Sequence, residues 1–197
     1  MRTGMIVLLY GLAACAQAQA PPGTALEREF ADGDAWTIEA PMEWRIGETD
    51  TVLVVPQGFV HDNASVPRAL WSFFPKSGPY TRAAVIHDYL YWAQPCTREQ
   101  ADNLLMIAMK ESGVSWFRRK AVYRGVRIGG GDAWSSNAAE RARGLPRFNP
   151  YRGVPGNMTW PQLRAQLHGE GRRDPVLPAA ADYCRYGDSQ DVPGPTG

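Results

Sequence analysis

Charge of one sign is what this sequence most lacks. Its 21 Lys and Arg stand against 20 Asp and Glu, a formal net charge of +1. A protein that holds nucleic acid through its phosphates usually carries a larger basic excess, so no nucleic-acid partner is expected. Long apolar runs are also wanting. The stretch from Met5 to Ala14 is too short for a spanning helix. Cysteine is scarce, three in all, and no internal repeat is visible. What remains is a globular composition over 197 residues, with 44% hydrophobic, 11% aromatic and 21% charged residues. That is enough for one domain with a core of its own.

The opening "MRTGMIVLLYGLAAC" joins a basic Arg2, an apolar segment and small residues before Cys15. This is the grammar of an export signal, here residues 1–14. "LAAC" resembles a bacterial lipobox, which makes Cys15 the lipidated first residue of the mature chain and gives it a membrane partner through that anchor. Ala16 follows rather than Asp, which favours the outer membrane, facing the periplasm. The competing reading is ordinary cleavage within "AQAQA", residues 16–20, giving a free periplasmic or secreted protein. Cys96 and Cys184 are then left over, and an oxidising compartment makes them a disulfide candidate. Such a bridge would tie the C-terminal tail to the loop before a helix.

Four segments follow from composition: the leader, a tether over 15–33, a single α+β domain over 34–144, and an irregular Pro-rich extension over 145–197. "AWTIEAPMEWRI", "DTVLVVP" and "GFV" are rich in Trp, Thr, Ile and Val and are broken by Pro41, Pro56 and Gly58. They predict a small antiparallel sheet. Helices come next: "SVPRALWSFF" behind a Ser65 N-cap, then 80–93 ended by Pro95, then 98–112 opened by a Thr97–Gln100 capping box. Another is predicted over 115–128, ended by Gly129, Gly130 and Gly131. From Pro146 onward lie eight of the 16 prolines, and one short helix, "WPQLRAQL", is expected there.

The stretch "AAVIHDYLYWAQ" places an imidazole and a carboxylate inside an apolar helix. Ala83, Ala84, His87, Leu90 and Tyr91 share one face by their spacing, and Asp88 falls at its border. A buried imidazole needs a partner. Asp102 on the next helix flanks the apolar stripe of Ala101, Leu104, Leu105 and Ala108, and helices joined by a short loop usually pack together. An Asp behind a His fixes its tautomer and stabilises its charged form, as a general base requires. The same pair would equally serve as a polar tie within a core.

A second polar cluster is "GFVHDNASVPR", residues 58–68. Asp62 and Asn63 are oxygen donors suited to Ca²⁺ or Mg²⁺. His61 and Asp62 could instead join His87 or Asp88 around Zn²⁺. Ser65 is either a nucleophile with His87 as base or simply the cap of its helix.

The run "GFVHDNASVPRALWSFFPKSGPYTRAAVIHDYLYW…TREQADNLLMIAMKESGVSWFRRKAVYRGVRIGG" resembles the bacterial and phage-associated family called domain of unknown function 1353. Its pattern F-x-x-D-x-A-S-x-P, A-x-x-H-D-x-L-Y, A-D falls on Phe59, Asp62, Ala64, Ser65 and Pro67, then Ala84, His87, Asp88, Leu90 and Tyr91, then Ala101 and Asp102. That resemblance implies the domain over roughly 35–131 and implies no reaction. H-D-x-x-Y with an Asp on the partner helix is also similar to the core of secreted phospholipases A2. This likeness implies His87 as base, Asp88 as calcium ligand, and Tyr91 and Asp102 as supports for the ring. The glycine-rich calcium loop and the paired cysteines around the His in those enzymes have no counterpart here.

Lys120, Arg124 and Arg127 recur on one helix face. They could meet lipid phosphates or form a solvated outer face. Trp71, Phe73, Phe74 and Tyr80 could line a groove beside His87 or fill a core. The expectation is an exported envelope protein, either a hydrolase of a lipid or other ester or amide centred on His87, or a non-catalytic envelope or phage-derived interaction protein. In the second case His87, Asp88 and Asp102 form a buried packing network.

Overall fold

The computed structural model describes residues 27–62 and 79–195. The leader, Cys15, Asn63, Ser65, the helix expected at 65–74 and its aromatic residues lie outside them.

The fold is α+β. Five short strands come first: β1 (Glu27–Glu29), β2 (Trp36–Ile38), β3 (Met42–Arg45), β4 (Val52–Val55) and β5 (Val60–His61). β1, β2 and β5 form one antiparallel sheet in that order, and β3 and β4 pair as a hairpin with Met42 opposite Val55. Period-two alternation sets the hairpin's inner face. Met42, Trp44, Leu53 and Val55 are buried, while Glu43, Arg45 and Val54 point to solvent.

Three helices follow: α1 (Pro79–Ala93), α2 (Arg98–Glu111) and α3 (Trp116–Ala142), of which α1 packs on β4 and β5 while α2 and α3 pack on α1 and on each other. α2 opens with the expected capping box, in which Thr97 accepts from the Gln100 amide and the Gln100 side chain accepts from the Thr97 amide. From Ala83 to Ala93 every residue of α1 is buried, because α2, α3, β4 and β5 all pack on it. Asp88 is therefore not at a solvent border, as the helical spacing alone implied. It is 6% exposed.

α3 corrects a second expectation. It runs straight through Gly129, Gly130 and Gly131 and continues to Ala142. Each helical glycine costs about 1 kcal/mol relative to alanine, but the far half of α3 has tertiary work. Trp134 stacks edge-on against Tyr91 at 5.1 Å between centroids. Asn137 donates to the Tyr91 carbonyl at 3.2 Å, and Arg141 donates to the Ala93 carbonyl at 2.6 Å and to Gln94 Oε1 at 2.7 Å. These contacts satisfy carbonyls that the end of α1 would otherwise leave open.

The Pro-rich tail is held by specific bonds. Its segment 147–149 lies beside 58–60, with the Val60 amide on the Arg147 carbonyl at 2.9 Å and the Asn149 amide on the Gly58 carbonyl at 2.7 Å. Gly58 has a φ of 85°, and a Cβ there would sit 2.3 Å from the Asn149 carbonyl oxygen. Asp174 accepts from Trp92 Nε1 at 2.8 Å and from the Arg147 amide at 2.7 Å. α4 (Trp160–Gly169) sits in the expected "WPQLRAQL" stretch, and it buries Trp160, Leu163 and Leu167 with Phe30, Ala35 and Val60. A 3-10 helix over Asp182–Asp188 packs on α2, where Asn103 donates to the Gly187 carbonyl at 2.7 Å. Cys96 and Cys184 meet at disulfide distance, with their Cα atoms 5.3 Å apart.

Candidate functional site

The short link between α1 and α2 turns the chain back, so the last two turns of α1 face the first turn and a half of α2. This brings together three of the residues singled out in the sequence. His87 Nε2 lies 2.9 Å from Asp102 Oδ1, and the Tyr91 hydroxyl donates to the same oxygen at 2.6 Å. One helical turn separates His87 from Tyr91, which leaves their rings 4.1 Å apart.

The other carboxylate oxygen faces two guanidinium groups. Arg127 on α3 reaches Asp102 Oδ2 at 3.1 Å, and Arg98 reaches it at 3.4 Å. Arg98 is also held by the Val126 and Arg127 carbonyls at 3.3 and 3.4 Å. Neither arginine was assigned to the site from sequence. The i, i+4 spacing of Arg98 and Asp102 on α2 was the available signal for one of them. For Arg127 only its basic face was visible, and its register against α2 depends on how α3 packs.

Gly130 belongs to the same assembly. A Cβ at this position would lie 2.4 Å from the Tyr91 hydroxyl oxygen. The glycine that looked like a helix terminator is the place where α3 comes close enough to Tyr91 to help seal it.

The electrostatics of the cluster are one-directional. Burial lowers the His87 pKa below its ordinary value, and the bond to Asp102 only partly opposes this. Burial pushes Asp102 upward, but His87, Tyr91 and Arg127 outweigh it and leave the carboxyl below its ordinary range. The stable pair is thus a neutral imidazole and a carboxylate. A carboxylate only accepts, so Nε2 carries the ring proton and donates it to Oδ1. Nδ1 is then the nitrogen with a free lone pair, and no described residue donates to it. The Tyr91 hydroxyl is raised by burial and by the Asp102 charge, which keeps it a donor.

The remaining candidates are placed as follows. Asp88 follows His87 on α1, and its charge adds to burial in raising the Tyr80 hydroxyl. Asp62 forms an ion pair with Arg147 at 3.3 Å. His61 is fully buried on β5, 3.5 Å from Glu27 and stacked on Trp36. Ser65 lies outside the described residues. Among the described residues, no three His, Cys, Asp or Glu side chains gather where they could hold an ion, and Asp62 already has a cation against it.

Comparison with known proteins covers part of this cluster. A family model described as Protein of unknown function (DUF1353) matches residues 36–126, which hold the α1 and α2 members of the site. Arg127 and Gly130 fall just beyond that match. The chain is also similar to the uncharacterized protein y4jT of Sinorhizobium fredii (strain NBRC 101917 / NGR234), 35% identical over 80 residues. The aligned stretch covers 40% of this chain and 24% of that relative. No solved structure matches. The chain is thus similar, over its strand-and-helix core, to a family whose activity its description leaves open.

Proposed function

We propose that the protein is an exported envelope hydrolase in which His87 is the general base, acting on a lipid or another ester or amide. The supporting observation is the 2.9 Å approach of His87 Nε2 to Asp102 Oδ1, from which the tautomer is assigned. With Nε2–H committed to Asp102, Nδ1 is left to accept a proton from water. The hydroxide so formed would add to a carbonyl carbon, and the proton on His87 would pass to the leaving group. Asp102 would steady the transient imidazolium, while Tyr91, Arg98 and Arg127 hold Asp102 itself. Ser65 as a nucleophile remains an untried variant of this proposal. Export and a lipid anchor on Cys15 are proposals resting on the leader's sequence, to be read directly by intact mass before and after Cys15→Ser.

A second reading is favoured by a specific observation. His87 is 1% exposed and Asp102 is 0% exposed, as in a sealed network that specifies how the three helices pack. His87→Asn and Asp102→Asn separate the two readings. Under the hydrolase proposal, the wild type cleaves a member of a phospholipid and small-ester panel, and His87→Asn abolishes turnover with little change in melting. Under the packing reading no member of the panel is cleaved. Asp102→Asn, which leaves the two guanidinium groups without their charge partner, should in either case cost on the order of 2–3 kcal/mol in chemical denaturation.

A further inference from the structure

α3 is apolar on two sides. Val122, Val126 and Gly130 face the core. On the opposite side Phe117, Ala121 and Ile128 point outward at i, i+4 and i+11, with Arg124 between them at i+7. Phe117 is 81% exposed and Ile128 is 87% exposed, with Trp116 beside Phe117 at 58%. A scattered apolar side chain needs no explanation, but a stripe of them on one helix does. Trp116, Phe117, Lys120 and Arg124 also border a shallow groove of about 420 Å³.

The charge around the stripe says what kind of surface would cover it. From Ser112 to Gly131 the chain carries Arg118, Arg119, Lys120, Arg124 and Arg127 and no acidic residue. Arg119 is turned back onto the Val114 carbonyl and Arg127 onto Asp102. Arg118, Lys120 and Arg124 make no ion pair or hydrogen bond with other described residues. A two-fold pairing of this face with a second copy would set these cations against each other. A polyanion in water would engage the cations and leave Phe117 and Ile128 wet. A bilayer with anionic headgroups satisfies both, taking the aromatic and aliphatic side chains at the acyl boundary and the cations at the phosphates.

We propose that the outward face of α3 is a peripheral membrane-binding surface for anionic phospholipid, with Phe117, Ile128 and Trp116 entering the interface and Arg118, Lys120 and Arg124 meeting the phosphates. No helix of the described residues is long and apolar enough to cross a membrane, so α3 lies along the surface. The inference rests on no reaction at His87.

The test uses the full chain carrying Cys15→Ser, so that no acyl group masks the effect. Partition is measured by cosedimentation with vesicles of phosphatidylglycerol in phosphatidylcholine and with phosphatidylcholine alone. The Met5–Ala14 segment is common to all forms, and its own contribution is the partition that remains when the two sets of substitutions are combined, which is subtracted from each form. Binding should require the anionic lipid and weaken with salt. Arg118→Gln/Lys120→Gln/Arg124→Gln should lower partition about 100-fold, and Phe117→Ser/Ile128→Ser about tenfold or more. Both variants should melt with the parent, since the replaced side chains are outside the core. Equal partition of the parent and both variants would overturn the proposal. So would a parent that ignores vesicles and sediments as a dimer dispersed by Phe117→Ser/Ile128→Ser.

Discussion

Asp102 is a buried carboxylate whose charge is kept by its neighbours, and His87 is a buried imidazole whose charge is suppressed by its surroundings. Both facts make stability depend on pH in the same sense. In the unfolded chain His87 takes a proton near its ordinary pKa of about 6.5, whereas in the fold burial resists that proton. Below that pH the unfolded state holds more protons, so the fold weakens as pH falls. The penalty grows until the folded ring itself protonates. Asp102 adds a second loss at lower pH, as falling pH protonates first the unfolded carboxyl and then the depressed folded one. Denaturation midpoints measured from pH 8 to pH 4 should therefore fall below about pH 6.5, and His87→Asn should remove the upper part of that fall. The pairing of His87 with Asp102 was legible in the sequence, because two apolar helices joined by a short loop left few partners for a buried ring. Of the two arginines on the far oxygen, Arg98 was signalled only by its i, i+4 spacing from Asp102, and Arg127 was hidden because nothing local fixes where α3 lies against α2.

α3 carries the clearest contrast among the helices. Glycine in a helix is a local penalty, and three in a row predicted an end at Gly129. The helix continues because its cost is set against long-range contacts that no local rule contains: Tyr91 below Gly130, and the end of α1 under Arg141. Gly130 and Gly131, adjacent in sequence, should respond oppositely to the same change. Gly130→Ala forces a methyl against the Tyr91 hydroxyl and should destabilise by about 1–3 kcal/mol. Gly131 has nothing within 4 Å of its would-be Cβ, so Gly131→Ala should stabilise by about 0.5–1 kcal/mol. Urea titration of the two variants reads both signs. The short strands and the Thr97–Gln100 cap were visible from sequence because their signals are local. The close approach of residues 147–149 to 58–60 was hidden, since backbone pairing across such a distance leaves no periodic trace in the tail.

Over the whole molecule the C-terminal extension is tied to the domain at several places, among them beside β5, at Asp174 under Trp92, through α4 on Phe30 and Val60, and on α2 through the 3-10 helix. The meeting of Cys96 and Cys184 reinforces the docking of the 3-10 helix across a sequence separation of 88. Closing a loop of that length stabilises a fold by about 4–5 kcal/mol at most in the chain-entropy account. Cys96→Ser/Cys184→Ser should accordingly show a clearly lower melting temperature, and a reducing agent should lower the parent to match while leaving the variant unmoved. The same pairing also sets an order of events. Cys96 is made near the midpoint of the chain, and α2, α3 and α4 all follow it before Cys184 appears. In that interval Cys96 is an open thiol, free to react with the wrong partner. Once the correct bond has formed, it is a chemical record that the last segment has docked. The ratio of oxidised to reduced chain is thus a clock for maturation, and a pulse-chase with thiol alkylation would read it.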